Sequence, residues 1–95
     1  MVKYKRSFSS GAKKTSVANE VIGFDLVKDG RTYLDSVDCL IFETFGSSCR
    51  FKINDEDTIH WVDANKQVVF TDIEIEKITI LDNGVEYYYT AFSSN

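Results

Sequence analysis

His60 is the only histidine in the chain, and it lies among the acidic residues Asp55, Glu56, Asp57 and Asp63. Carboxylates at this density can ligate calcium, but the segment lacks the central glycine and distal glutamate of an EF-hand loop. Nucleophilic catalysis would need a serine or cysteine close to this histidine, and no spacing in the chain supports such a pair. We therefore expect a polar hairpin turn here.

The other groups that could do chemistry do not complete a site. A zinc site needs more ligands than His60 together with Cys39 and Cys49. His60 alternates with Ile59 and Trp61, so we expect its side chain to point outward from a strand. The sequence therefore predicts no metal, no cofactor and no enzyme activity.

Charge is distributed very unevenly along the chain. Residues 1–19 contain five basic and no acidic residues, whereas residues 20–95 contain six basic and fifteen acidic residues, for a formal charge of −4. A basic segment with so little to pack is typical of an arm that is disordered when the chain is alone. We expect this arm, residues 1–19, to bind another polypeptide through Lys3, Tyr4, Lys5, Arg6, Phe8, Lys13 and Lys14.

The acidic body, residues 20–95, limits the kind of partner. Its negative charge repels the phosphate backbone of nucleic acids. The five basic residues of the arm, without a folded domain that recognises bases, would bind nucleic acid only weakly and in a salt-sensitive way. We therefore expect an acidic protein surface as the partner, with Tyr4 and Phe8 as small apolar anchors.

Ninety-five residues are enough for one domain. No apolar run approaches the roughly 20 residues that cross a bilayer, and the N-terminus lacks the apolar run of a signal peptide. We expect synthesis in a cytoplasm, without a membrane. Cys39 and Cys49 lie in strand-like runs, which predicts two reduced cysteines in the core.

After the arm, apolar residues alternate with period two and turn signals recur, which predicts an all-β domain of the β-sandwich or jelly-roll type. The predicted strands are VIGFDLV (21–27), VDCLIFETF (37–45), CRFKI (49–53), a short strand with Ile59 and Trp61, KQVVF (66–70), IEIEKITI (73–80) and VEYYYTAF (85–92). Asp29-Gly30 and Asp82-Asn83-Gly84 are typical of hairpin turns.

Two strands carry more information than the rest. Residues 37–45 are apolar on both faces, with Val37, Cys39, Ile41 and Phe45 on one face and Leu40 and Phe42 on the other. Such a strand is covered on both faces, in a sandwich or beneath a neighbouring subunit. In residues 73–80, Ile75 and Ile78 are three positions apart, which predicts a bulge or a corner between sheets.

The last strand carries three consecutive tyrosines. Tyr87 and Tyr89 share the face of Val85 and Ala91, and Tyr88 lies on the other. Aromatic side chains on strands can stack on sugars or bases, and tyrosine and tryptophan anchor protein interfaces. The candidate surface contacts are Trp61, Tyr87, Tyr88 and Tyr89.

The order FKINDEDTIHWVDANKQVVF, IEIEKITILDNG and VEYYYTAF from Phe51 onward resembles small virion proteins of tailed bacteriophages. Those proteins are β-sandwich accessory parts, such as capsid decoration proteins and head-fibre anchors or subunits. The resemblance covers about residues 20–95. It implies a structural virion component, made in a host cytoplasm, whose partners are other virion or capsid proteins.

The sequence thus favours a homo-oligomeric β-sandwich whose basic arm binds a larger assembly. The alternative is a free-standing β-sandwich module that holds a carbohydrate or peptide with Trp61 and the tyrosines. The sequence leaves open the oligomer number and whether a glycan or calcium is bound.

Overall fold

A computed structural model describes residues 4–24, 26–28, 31–34 and 36–94 of the chain. Within these residues the chain forms eleven strands and no helix. The strands are β1 (Arg6–Ser9), β2 (Lys14–Thr15), β3 (Glu20–Gly23), β4 (Leu26–Lys28), β5 (Arg31–Leu34), β6 (Val37–Phe45), β7 (Cys49–Ile53), β8 (His60–Val62), β9 (Gln67–Ile75), β10 (Lys77–Ile80) and β11 (Glu86–Ser93).

Two antiparallel sheets form the body of the protein. The five-stranded sheet has the order β1-β11-β6-β9, and β2 also pairs with β11. The four-stranded sheet has the order β3-β10-β7-β8, and β4 pairs with β5 separately. The predicted all-β class is confirmed, and two antiparallel sheets around one core are consistent with a β-sandwich.

Side chains from both sheets form the core. Phe42 on β6 lies 5.1 Å from Phe51 on β7, measured between ring centroids, and therefore joins the two sheets. The Tyr87 ring, on the neighbouring strand β11 of the same sheet, stacks against Phe42 at 5.4 Å. Fourteen buried residues make up this cluster: Phe24, Val37, Leu40, Phe42, Cys49, Phe51, Ile53, Val62, Ile75, Ile78, Ile80, Val85, Tyr87 and Ala91.

The phase change between Ile75 and Ile78 is a corner between the two sheets. β9 pairs with β6, whereas β10 pairs with β3 and β7, and only Glu76 separates β9 from β10. Both isoleucines are fully buried. Of the two predicted alternatives, a bulge or a corner between sheets, the structure confirms the corner.

Asn54, in the turn after β7, holds this corner. Its Oδ1 accepts hydrogen bonds from the backbone N–H of Glu76 at 2.7 Å and of Lys77 at 3.3 Å. Its Nδ2 donates to the carbonyl of Glu74 at 3.0 Å. Asn54 has a φ of 55°, a left-handed conformation that asparagine tolerates better than most residues.

The predicted strands agree with the structure best in the middle of the chain. β6 and β7 have the predicted bounds, but a register shift between Val37 and Cys39 turns Val37 into the core with Leu40. Val37 was therefore assigned to the wrong face. β9 continues through residues 71–72, where we expected a break.

The predicted strand 21–27 is divided between two sheets. β3 joins the four-stranded sheet, and β4 pairs with β5, with Lys28 opposite Arg31. The predicted turn Asp29-Gly30 lies outside the described residues.

Cys39 and Cys49 are both buried and free, as predicted. Burial raises the pKa of the Cys49 thiol to about 11. Burial also raises the pKa of Cys39, and a hydrogen bond with Tyr4 partly offsets that effect. No described residue belongs to a helix long and apolar enough to span a membrane.

Candidate functional site

The N-terminal segment, predicted to reach another polypeptide, lies along the last strand of its own chain. β1 pairs with β11 from Arg6 opposite Ser93 to Ser9 opposite Thr90. Phe8 is half-buried against the chain's own core. The predicted extended arm is thus not confirmed, because in the structure β1 and β2 pair with the edge of β11 that β6 leaves unpaired.

The remaining arm residues surround β11. The Tyr4 ring lies 5.6 Å from that of Phe92, and Lys5 donates its backbone N–H to the carbonyl of Ser93 at 2.7 Å. The side chains of Lys5 and Arg6 are exposed. Lys3 lies outside the described residues.

Lys13 and Lys14 lie at the other end of the segment. Lys13 Nζ is 3.7 Å from Glu86 Oε1 and 4.1 Å from the centroid of the Phe45 ring. Lys14 lies opposite Tyr87 in the backbone pairing and is exposed. Because the Lys13–Glu86 pair is about half exposed on both sides, it contributes little to stability.

The outward surface of the five-stranded sheet carries five apolar side chains, and Glu43 lies between two of them on β6, opposite Tyr88. We call the surface formed by Ile41, Phe45, Val69, Tyr88 and Phe92 the apolar face. These residues alternate with inward neighbours on β6, β9 and β11, and Ile41 lies opposite both Thr90 and Val69. The segment before β1 also reaches this face, through Tyr4 on Phe92.

The apolar face is partly exposed, with Tyr4 on Phe92 and Lys13 on the Phe45 ring. Val69 is 49% exposed, and the other four residues are half-buried. The sequence predicted that β6 would be covered on both faces, and the second sheet covers only the face of Leu40 and Phe42. The opposite face of β6 is therefore available to a partner.

The outward surface of the four-stranded sheet has a different chemistry. We call the surface formed by Val21, Arg50, Lys52, Ile59 and Trp61 the tryptophan face. Trp61 lies opposite Arg50 and is 66% exposed, the largest exposed fraction among the exposed apolar side chains of the described residues. Thr79 links Val21 to Lys52 across the sheet.

Arg50 on the tryptophan face is held by Asp82. Arg50 Nη2 lies 2.8 Å from Asp82 Oδ1, and Asp82 Oδ2 accepts the backbone N–H of Arg50 at 2.7 Å. The hydrogen bonds from Arg50 lower the pKa of Asp82, and the same contact raises the pKa of Arg50. The guanidinium is therefore fixed in place beside Trp61.

The tyrosine triplet alternates as predicted, and this leaves only one of the three as a candidate surface contact. Tyr87 is only 2% exposed, so it is a core residue and not a surface contact. Tyr89 is half-buried and packs edge-on against Phe24 at 5.6 Å. Of the three tyrosines, Tyr88 alone faces outward, on the apolar face.

His60 points inward, and our prediction of an outward side chain was wrong. Phe51 faces the core, and the pairing of β7 with β8 places His60 opposite Phe51. The two rings stack at 5.5 Å, and His60 packs edge-on against Phe70 at 5.2 Å. Of the nearby acids, Asp55 forms an ion pair with Lys77 at 2.8 Å.

An open groove of about 410 Å³ lies between the start of β6 and β9. Its lining includes the carboxylates of Asp38, Asp72 and Glu74. Asp38 accepts hydrogen bonds from the hydroxyl and the backbone N–H of Ser94. Among the described residues, no group of three or more histidine, cysteine or acidic side chains is placed to hold a metal ion.

Comparison with known proteins gives no relative: no family model, curated protein or solved structure matches the chain.

The arrangement offers binding surfaces on both outward sheet faces. The sequence named Trp61 and Tyr88, but it missed Val69 and assigned Ile41 and Phe45 only to a covered strand. The signal that could have found the apolar face was the two-sided apolar pattern of β6, read together with the outward Tyr88, Thr90 and Phe92 of the neighbouring strand.

Proposed function

We propose that this chain is a structural subunit of a larger protein assembly, and that it associates with other subunits through the apolar face. The observation that carries this proposal is the open outward side of β6. Ile41 lies between β11 and β9, opposite Thr90 and Val69, and Phe45 lies at the end of β6; both side chains are half-buried in the single chain. Burial of such surface contributes roughly 25 cal/mol for each Å² removed from water.

The charges around the apolar face support a protein partner. Lys5, Arg6, Lys13 and Lys14 lie along the β11 edge, whereas Asp38, Asp72 and Glu74 line the groove near β9. The groove lies next to the basic segment, since Lys5 bonds to Ser93 and Ser94 lines the groove. The basic groups of one copy can therefore pair with the acidic groups of another. Because these groups are exposed, association should weaken as salt concentration rises.

The proposed assembly is a virion. The resemblance of residues 20–95 to capsid decoration and head-fibre proteins supports this, as does the all-β body with two antiparallel sheets. On this proposal the chain is not an enzyme, its strand order is jelly-roll-like, its partners are other virion or capsid proteins together with copies of itself, and it is made in the cytoplasm of a host.

Sedimentation of two matched lysine variants tests the apolar face. Val69→Lys places a charge on this face, whereas Val21→Lys makes the same change on the tryptophan face; the two valines are 49% and 59% exposed. We expect the wild-type chain and Val21→Lys to sediment above the monomer mass of 10.8 kDa. Val69→Lys should dissociate with a Kd raised at least about tenfold, because the interface would bury an unpaired charge.

The proposal fails if the wild-type chain remains a monomer at all accessible concentrations. It also fails if Val21→Lys dissociates the oligomer and Val69→Lys does not. Circular dichroism of each variant serves as the folding control.

The exposure of Trp61 favours a second candidate function, a module that binds a carbohydrate or peptide on the tryptophan face. Trp61 is the only tryptophan, so its fluorescence reports directly on a ligand placed against it. On this alternative, titration with soluble oligosaccharides shifts the emission of a monomeric protein, and Trp61→Ala abolishes binding. On the favoured proposal, neither occurs.

A further inference from the structure

The first strand is attached to the sheet on one side only. β1 pairs with β11 and with no other described strand. Three of its four residues are exposed, and Phe8 alone is half-buried. Backbone hydrogen bonds to β11 and the packing of Phe8 are among the contacts that hold β1.

The chain is fixed much more firmly at Ser16, after β2. Ser16 is 2% exposed, and its hydroxyl donates to the Asp82 carbonyl at 2.6 Å and accepts the Val85 N–H at 2.9 Å. Its backbone N–H donates to the Val85 carbonyl at 2.8 Å, and its carbonyl accepts the Gly84 N–H at 2.8 Å. These four hydrogen bonds hold the chain from Ser16 onward when β1 leaves the edge.

The connection between β1 and β2 is longer than the part of β11 that it faces, and two hydrogen bonds between Ser10 and Tyr89 must open before β1 can leave. Both strands run antiparallel to β11, with Ser9 opposite Thr90 and Lys14 opposite Tyr87. Residues 10–13 thus connect positions that only residues 88–89 separate on β11. Gly11 in this connection has a φ of 78°. When extended, four residues span up to about 14 Å, so the connection can lead β1 away from its own edge.

We propose that β1 is exchanged between two copies of the chain in the assembly. In this exchange, β1 of each copy pairs with β11 of the other and places Phe8 in the other core. The contacts are those seen within one chain, so exchange requires no new binding surface, and two reciprocal exchanges form a closed two-fold dimer. The inference rests on the proposed self-association and names the strand that links the subunits.

The position of Tyr4 supports this link. Its ring lies on Phe92, at 5.6 Å, so the segment before β1 crosses from the sheet edge onto the apolar face. A second copy that covers the apolar face would therefore meet this segment and the neighbouring β11 edge together. The exchanged strand and the covered face form one continuous contact.

Paired cysteine substitutions test the exchange. Ser9 and Thr90 lie directly opposite each other across β1 and β11, and Thr15 and Glu86 lie opposite each other across β2 and β11. The test variant is Ser9→Cys/Thr90→Cys. The matched control is Thr15→Cys/Glu86→Cys, which joins β2 to β11; β2 follows the connection and stays on its own chain in the proposed exchange. Both are oxidised at a concentration where the wild-type chain sediments as an oligomer, and their masses are read on a non-reducing gel.

We expect the first variant to give a covalent band of twice the monomer mass and the control to give the monomer mass. A mixture of the single variants Ser9→Cys and Thr90→Cys should give the same doubled band, since only exchange brings these two cysteines together. A monomer band from the Ser9/Thr90 variant, with the wild-type chain oligomeric, overturns the exchange and leaves the proposed function intact. A wild-type chain that is always monomeric overturns both.

Discussion

The buried hydroxyl of Tyr87 shows how one residue connects the N-terminal part of the chain to the core. Tyr87 stacks on Phe42, and its hydroxyl donates to Glu20 Oε1 at 3.3 Å. Burial, followed by the charge of Glu20, raises the pKa of Tyr87 to about 12. The ordinary value for tyrosine is about 10, so folding favours the protonated phenol.

This pKa predicts a loss of stability in alkali. Below pH 10 the phenol is protonated in both states, and its contribution is complete. Between about pH 10 and 12 the unfolded chain releases the proton and the folded chain retains it, so stability falls. Urea unfolding of the wild type and Tyr87→Phe should show the stability difference shrinking by roughly 1 kcal/mol per pH unit in this range. A difference independent of pH from 9 to 12 would contradict the prediction.

Sequence patterns determined the direction of some side chains and not of others. The alternation in residues 85–92 correctly predicted the inward Tyr87 and the outward Tyr88. The same rule failed at His60, because Ile59 and Trp61 are apolar but exposed, and the pairing with Phe51 decides the direction. Ser16 was missed because its hydrogen-bond partners, Asp82 and Val85, are distant in the sequence.

At the scale of elements, the corner between β9 and β10 is the point where the chain passes from the five-stranded sheet to the four-stranded sheet. The Asn54 side chain holds it by accepting two hydrogen bonds and donating one, and Asn54 itself is in a left-handed conformation. The side-chain amide and the left-handed backbone conformation of Asn54 contribute separately to stability, and two substitutions can distinguish the two contributions.

We expect Asn54→Gly to lose about 1–3 kcal/mol of unfolding free energy, because it removes the hydrogen bonds but accepts the positive φ. Asn54→Ala should lose about 1 kcal/mol more, because a side chain with Cβ is strained in that conformation. Denaturant titration of both variants measures this. If the glycine variant is as stable as the wild type, the amide does not hold the corner.

The elements that the sequence could not predict are those stabilised by distant partners. The bounds of β6 and β7 follow from local alternation. β1 and β2 contain few apolar residues and become strands only because β11 offers them an edge. Removal of residues 1–14 should therefore uncover β11 as well as remove positive charge, so a truncated chain is a poor test of docking by charge alone.

At the scale of the whole molecule, the two outward sheet faces divide the candidate functions. The apolar face continues the two-sided apolar pattern of β6, and the tryptophan face combines Trp61 with fixed Arg50. Sequence reasoning could predict two sheets and an outward Tyr88. It could not predict which face is open, since that depends on how β6 and β9 pair.

The measurement that tests the central claim most directly is hydroxyl-radical labelling of the wild-type chain, compared between dilute monomer and concentrated oligomer. We expect labelling of Phe45 and Tyr88 to fall severalfold on association, because the apolar face becomes covered, while labelling of Trp61 stays unchanged. Protection of Trp61 with unchanged labelling of Phe45 and Tyr88 would contradict the account and assign the interface to the tryptophan face.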